Sequence, residues 1–366
     1  PRTTTSYAIF YCWILGWKFE NFELRSYWKK ITFNELIYKW NYLEILQLTL
    51  LARNKNLDFL RGIAIILVMT GHFLPGYFST HLGWNGVDLF FVLSGFFISG
   101  ILFREYIEKG EINTGRFLLR RGLKIWPLFY TALLLQAIYA LYRGHSLSVS
   151  QLLHEIFFIQ NYFPGFLKVT WSLGVEEQFY LFTAAGMFFL LRTSFRIINN
   201  NFNPGYDPYK KFYPLHLRAD SLCAGIILSY YYHFHRKQLE IFIKKNRNLL
   251  LIACTFFLLP LFYYPYYDSF TYTIGFTLSY LGYVVLIALF LCPFRFGQTS
   301  RNHLFIFLLD KIAWVGLYSY AIYLFHLVIG FVVVSNFSKL TGTTCLLFPV
   351  FLIFFASNLF FGYLVS

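Results

Sequence analysis

Asp58, Arg61 and His72 stand in the stretch LDFLRGIAIILVMTGHF, residues 57–73, which is otherwise a run of apolar side chains. On an α-helix each residue turns by about 100°, so the steps from Arg61 to His72 return to within about 20° of the same direction. Asp58 falls about 60° from Arg61, which puts all three on one face. Such a face is costly against hydrocarbon and turns toward protein or water. His72 lies about 16 Å further along the axis than Arg61, and about 21 Å beyond Asp58. Imidazole titrates near neutrality, so it suits taking a proton from a hydroxyl or carrying a transferred group. Asp58 is too distant to orient that ring, and an orienting carboxylate must come from another helix. The alternative use of the same side chain is a histidine hydrogen-bonded inside a bundle with no catalytic task.

Other groups share this potential. In WSLGVEEQFYL, residues 171–181, Ser172, Glu176 and Tyr180 recur at four-residue spacing and share a face. Glu176 is the first choice for orienting His72 or an acceptor hydroxyl, and Glu177 is second; a water-exposed acid pair at the membrane edge is the plainer reading. Asp88 is an acid at the edge of the apolar stretch GVDLFFVLSGFF, where Ser94 and Gly95 also permit close helix approach. Ser319, Tyr323 and His326 share a face in SYAIYLFH, so His326 lines the same cavity or makes a structural hydrogen bond. The five cysteines are scattered, without metal-ligand spacing.

The elements that must hold these groups are membrane helices. Of 366 residues, 57% are hydrophobic, 23% aromatic and 13% charged, about half the charge a soluble domain of this size carries. Residues 62–87, 125–142, 248–267, 269–294, 312–338 and 340–366 contain no Asp, Glu, Lys or Arg. Residues 84–103, 172–191 and 219–235 are nearly as clean. A span needs about 20 mostly apolar residues, so the expectation is an all-α polytopic transmembrane bundle of nine spans, or ten if 152–167 also crosses. Net charge is +14, but the basic residues gather in 104–124, 233–247 and 295–311, while the turns near 74–86 and 268 hold none. This is the positive-inside pattern rather than a nucleic-acid surface, and nucleic acid is excluded as a partner. Parity leaves one conflict. Four spans counted forward place 192–218 inside, whereas the basic loop 233–247 places it outside. Either 152–167 spans, or a helix expected near 192–218 is missing. Residues 1–54 are expected as an aromatic and basic extension, interfacial or poorly ordered.

The blocks LDFLRGIAIILVMTGHF, GWNGVDLFFVLSGFFISGIL, RFLLRRGLKIWPLFY, WSLGVEEQFYL, HLRADSLCAGIIL and LYSYAIYLFHLVI follow in that order. Together they resemble the acyltransferase-3 family of integral membrane O-acyltransferases, from about residue 55 to the end. The resemblance implies transfer of an acyl group, commonly acetyl, from a cytoplasmic acyl-CoA to a hydroxyl of a cell-envelope polysaccharide, lipid-linked glycan or similar acceptor. It places the chain in the cytoplasmic membrane and calls for no metal and no tightly bound cofactor. Arg61 and His72 match the family's Arg-x10-His motif, implying that His72 is the base or transient acyl carrier. Arg121 and Lys124, with Arg120 adjacent, match the Arg-x-x-Arg motif associated with the acyl-CoA donor, with lysine replacing the second arginine and losing its planar fork. The same basic residues also serve to set topology. The expected catalytic set is His72, Glu176 and Arg61. The expected substrate-binding set is Arg120, Arg121, Lys124, Asp88, Ser94, Trp171, Ser172, Glu177 and His326. The chain departs from the family in the extension 1–54, in the short interval after EEQFYL, and in ending at FASNLFFGYLVS, which suggests truncation at the C-terminus. A transporter or export partner with a charged intramembrane path is the alternative class.

Overall fold

The computed structural model describes residues 54–73, 81–167, 169–193, 213–292, 303–326 and 329. The extension before residue 54, the interval 194–212 and the C-terminal stretch from 330 lie outside the described residues, so the expectations for them stand as sequence readings. Among the described residues every regular element is helical. Three helices are long and apolar enough to cross a membrane, and up to five if each of two bent pairs counts as one span.

Helix α1 (Lys55–Phe73) carries the opening stretch, and α2 (Asn85–Lys109) follows it. The α2 sequence is apolar on all sides, as expected for a helix surrounded by others. Some 78% of its most apolar window is buried, against 22% for α3 (Thr114–Tyr142). Helix α2 is therefore central and α3 peripheral, presenting Leu134, Leu135, Ile138 and Leu141 outward, where lipid tails suit them. Between these two helices, Gly110 adopts φ 76° and closes α2 with its N–H on the Tyr106 carbonyl, while Asn113 caps α3 by accepting from Arg116 N.

A short helix α4 (Val149–Ile156) comes next. The chain then turns through Phe158, whose φ is +54°, and through Pro164 and Gly165 before entering α5 (Trp171–Thr193). The possible tenth span at 152–167 is therefore not a crossing helix. Eight residues rise only about 12 Å, and Glu155, Asn161, Pro164 and Gly165 favour a packed turn. This removes one of the two ways out of the parity conflict and leaves 194–212 as the interval that carries it.

Helix α6 (Ala219–Phe234) packs chiefly against α2. Helices α7 (Arg236–Lys245) and α8 (Arg247–Leu258) follow, and with the continuation of α8 to Phe262 they bend by 83°. Helix α9 (Phe276–Leu291) packs against α8. The window 312–338 reads as one continuous span, yet α10 (His303–Leu317) ends at Tyr318 and α11 (Ser319–His326) departs at 66°.

Small residues set the crossings. Helices α1 and α10 meet where a Cβ on Gly62 would strike the Ile312 carbonyl and one on Gly316 the Asp58 carbonyl. At the α2–α6 crossing, Gly95 faces the Leu222 carbonyl and Gly225 the Val92 carbonyl. Backbone-to-backbone approach of this kind is how membrane helices gain packing without a hydrophobic driving force.

Candidate active site

Helix α1 ends at the candidate base. The Nδ1 of His72 lies 2.9 Å from the Val68 carbonyl one turn earlier. A carbonyl only accepts, so Nδ1 carries the proton and Nε2 is the basic nitrogen of the neutral ring. The orienting acceptor is thus a backbone carbonyl of His72's own helix, in place of the carboxylate expected from another helix. Across from it, the bend at Tyr318 swings α11 so that the wholly buried His326 meets His72 edge-on, with ring centroids 4.9 Å apart at 62°. The His326 Nδ1 donates to the Tyr323 carbonyl at 2.6 Å.

The acid pair gathers a second cluster on α5. Glu176 Oε1 accepts from Ser94 Oγ at 2.8 Å and Oε2 from the Tyr180 hydroxyl at 2.8 Å. Arg61 and Arg121 stand close enough for their charges to act on this carboxylate. Arg61 also lies over the Phe97 ring at 5.8 Å, and Arg121 over Phe117 at 6.0 Å. Glu177 is 8% exposed, and its Oε2 accepts from Trp126 Nε1 at 3.0 Å. The structure therefore brings Arg61, Ser94, Arg121, Glu176 and Glu177 together, and it brings His72 and His326 together. Glu176 spends its hydrogen bonds on Ser94 and Tyr180 rather than on His72.

The basic triplet divides. Arg121 faces the acid pair, Arg120 shares the field of Arg116 and Glu105, and Lys124 is exposed. Arg121 and Lys124, placed on one helical face by their spacing, differ in exposure, and Arg121 feels the charges of Glu176 and Glu177.

Asp88 is fully buried. Its Oδ1 accepts from Arg218 Nη1 at 2.8 Å and its Oδ2 from Ser279 Oγ at 2.9 Å. Arg218 also sits 3.8 Å over the Phe276 ring and 5.8 Å from that of Trp171. Trp171 stacks on Tyr213 at 4.5 Å. The reading of Asp88 as a span-edge acid thus becomes a buried ion pair joining α2, α6 and α9. Ser172 Oγ donates to the Tyr323 hydroxyl at 2.6 Å, and that hydroxyl donates to the Val169 carbonyl.

Arg218, Tyr323 and Glu155 were not among the expected site residues. Arg218 had a signal, an arginine immediately ahead of an apolar stretch in HLRADSL. Glu155 was visible only as an acid spoiling a candidate span. Among the described residues no three His, Cys, Asp or Glu side chains are gathered as a metal site.

A family described as an acyltransferase domain matches residues 54–366. The peptidoglycan O-acetyltransferase OatA of Listeria monocytogenes is 27% identical over 309 residues, covering 74% of this chain and 48% of that protein. A putative peptidoglycan O-acetyltransferase of Bacillus subtilis, YrhL, is 26% identical over 308 residues, with coverages of 74% and 47%. A putative O-acetyltransferase of Staphylococcus aureus strain COL is 33% identical over 153 residues, 37% of this chain and 25% of that protein. The chain thus spans about half the length of the first two curated relatives. No solved structure matches it.

Proposed function

The chain belongs to the acyltransferase family matched over residues 54–366, and from that premise we propose that it is a membrane O-acetyltransferase acting on a hydroxyl of a cell-envelope glycan. The names of the relatives, peptidoglycan O-acetyltransferases, favour peptidoglycan or its lipid-linked precursor as the acceptor. The domain runs from residue 55 onward as a bundle of nine spans in the cytoplasmic membrane, behind an N-terminal aromatic and basic extension. Acyl-CoA is the donor and enters from the basic side, past Arg120 and Lys124, with Arg121 and Arg61 deeper. No tightly bound cofactor takes part.

One observation carries the chemistry: the Val68 carbonyl accepts a hydrogen bond from the Nδ1–H of His72 and leaves Nε2 as the base. As the acceptor oxygen bonds to the thioester carbonyl carbon, its proton passes to Nε2. The carbon–sulfur bond then breaks, and the departing thiolate takes that proton to leave as free thiol. In the carrier variant of the same reaction, Nε2 bonds the acyl carbon as the carbon–sulfur bond breaks and thiolate departs; the acceptor hydroxyl then displaces the imidazole from that carbon, and its proton passes to the thiolate. Either route needs His72 neutral and held in place. Glu176, anchored by Ser94 and Tyr180, holds the two arginines in position, and Trp171, Ser172, Asp88 and Glu177 complete the substrate-binding set.

Membranes containing the chain should release thiol from acetyl-CoA and place label in envelope glycan, and His72→Ala should lower that turnover by about a hundredfold or more at unchanged expression. Equal turnover in both forms would remove His72 from the chemistry. Absence of acetyl-CoA consumption in both would overturn the acyltransferase reading in favour of a transporter or export partner.

A further inference from the structure

We infer that Glu155 is a positioning residue for His72, acting from the last turn of α4 through Thr170, Tyr323 and His326. The inference takes only the identity of the reaction from the function proposed above.

The Glu155 carboxylate is wholly buried, and among the described residues its hydrogen-bond partners are Leu167 and Thr170. Its Oε1 accepts from the Leu167 N–H at 2.8 Å, and Thr170 Oγ1 lies 3.0 Å from Oε1, 2.7 Å from Oε2 and 2.7 Å from the Leu167 carbonyl, with one proton to serve these acceptors. Gln160 Nε2 donates to the Thr170 carbonyl at 3.0 Å. That carbonyl also receives the Leu173 and Gly174 amides, which begin α5. The carboxyl group therefore fixes the residue that launches α5 and, one residue earlier, the Val169 carbonyl.

From Val169 the path crosses to α11. The Tyr323 hydroxyl donates to that carbonyl and accepts from Ser172 Oγ, the second residue of α5. The Tyr323 carbonyl in turn accepts from His326 Nδ1, and the His326 ring lies edge-on against His72. Glu155, Thr170 and His326 are 0% exposed and Tyr323 7%, so water does not offer replacement partners along the way. Close-packed interiors have low compressibility and transmit strain, so losing one member of this buried path bears on the next. The ring of His72 is fixed by two contacts, the Val68 carbonyl at its edge and the His326 ring against it. The second of these is set from the far end of the path.

Burial pushes the Glu155 carboxyl up to about 7, so its neutral form is accessible in ordinary buffers. Glutamine reproduces that form, offering one carbonyl oxygen to Leu167 N and a second group of the same size.

The test compares the full chain in native-like membranes with Glu155→Ala and Glu155→Gln. The first readout is the rate at which diethyl pyrocarbonate modifies His72, followed by mass spectrometry of its peptide. The second is acetyl-CoA turnover. With alanine, His72 should be modified several-fold faster, because its ring loses the support of His326. The turnover number should fall about tenfold while the KM for acetyl-CoA stays near the parent value. With glutamine both readouts should stay close to the parent. A His72 modification rate in Glu155→Ala equal to or slower than the parent's overturns the inference. Should the alanine form fail to accumulate, Tyr323→Phe cuts the same path at its middle, and an unchanged His72 rate there overturns the inference equally. Loss of turnover in every form, the parent included, counts against the acyltransferase reading alone, since the modification rate still decides the positioning.

Discussion

Asp88 and Arg218 are paired at 2.8 Å with exposures of 0% and 1%, and a pair so fully removed from water behaves unlike a surface bridge. Breaking it from one side leaves a buried charge without its partner, whereas replacing both by apolar groups of similar volume removes the desolvation cost as well as the attraction. Asp88→Leu or Arg218→Met alone should therefore lower stability by about 3–5 kcal/mol, and the double variant by clearly less, as read by thermal unfolding in detergent. A double loss equal to the sum of the two single losses would mean that the pair does not act as a unit. At this scale the sequence was informative about residue types and faces but silent about partners. Asp88 stood out as an acid in an apolar stretch, and Arg218 as a cation before another. Their union spans 130 positions, and helical periodicity reports which way a side chain points without naming what it meets. The same limit explains His72. Its place on the polar face of α1 was legible, while its proton acceptor proved to be the Val68 carbonyl, available to any residue in that helical position and so invisible as a motif.

Among the elements, apolar runs disclosed the long helices well. Apart from Trp84, the N-cap residue, the stretches at 84–103 and 125–142 lie within α2 and α3, because sequence this apolar has few other uses at that length. Departures came where backbone geometry changes without a change in hydropathy. The bend at Tyr318 interrupts a charge-free window, and it follows directly on the close contact of Gly316 with the Asp58 carbonyl of α1. The segment from α4 to the start of α5 is the other case. Its single acid argued against a span and proved to be the centre of a packed turn. That acid also sets a pH dependence. Its carboxyl is raised from 4.5 to about 7 in the folded chain, chiefly by burial, so the native state holds its proton more tightly than the unfolded state does. The stability this contributes is complete below about pH 4.5 and is lost as pH rises through about 7, a change on the order of 3 kcal/mol. The titratable neighbours on this path are Tyr323, whose hydroxyl faces Val169, and His154, whose Nδ1 pairs with the Pro164 carbonyl. Glu155→Gln should therefore flatten the fall in apparent Tm between pH 5 and 8 relative to the parent, and an identical slope in both would assign that pH dependence to other groups.

For the molecule as a whole, the charge pattern predicts which way the bundle faces. The turn between α2 and α3 is flanked by basic residues, and the turn after α3 leads to the Glu155 segment. A cysteine introduced at Glu111 should react with an impermeant maleimide only when the cytoplasmic side is open, and one at Ser146 from the opposite side in intact cells. Labelling of both from one side would invert or break the proposed topology. The architecture also distributes bulk in an uncommon direction. The helix crossings rest on the smallest residue, at Gly62, Gly95, Gly225 and Gly316, while the outward faces of α3 and α8 carry Leu134, Ile138, Ile252 and Phe256. Inheritance acts on those two zones differently. A lineage carrying this chain can exchange one bulky apolar residue for another on its rim over many generations, since a lipid tail conforms to whatever it meets. At the crossings even a single methyl group meets a backbone carbonyl that has nowhere to move. Among diverged descendants, the positions that contribute the least mass to the protein should be the ones that change last.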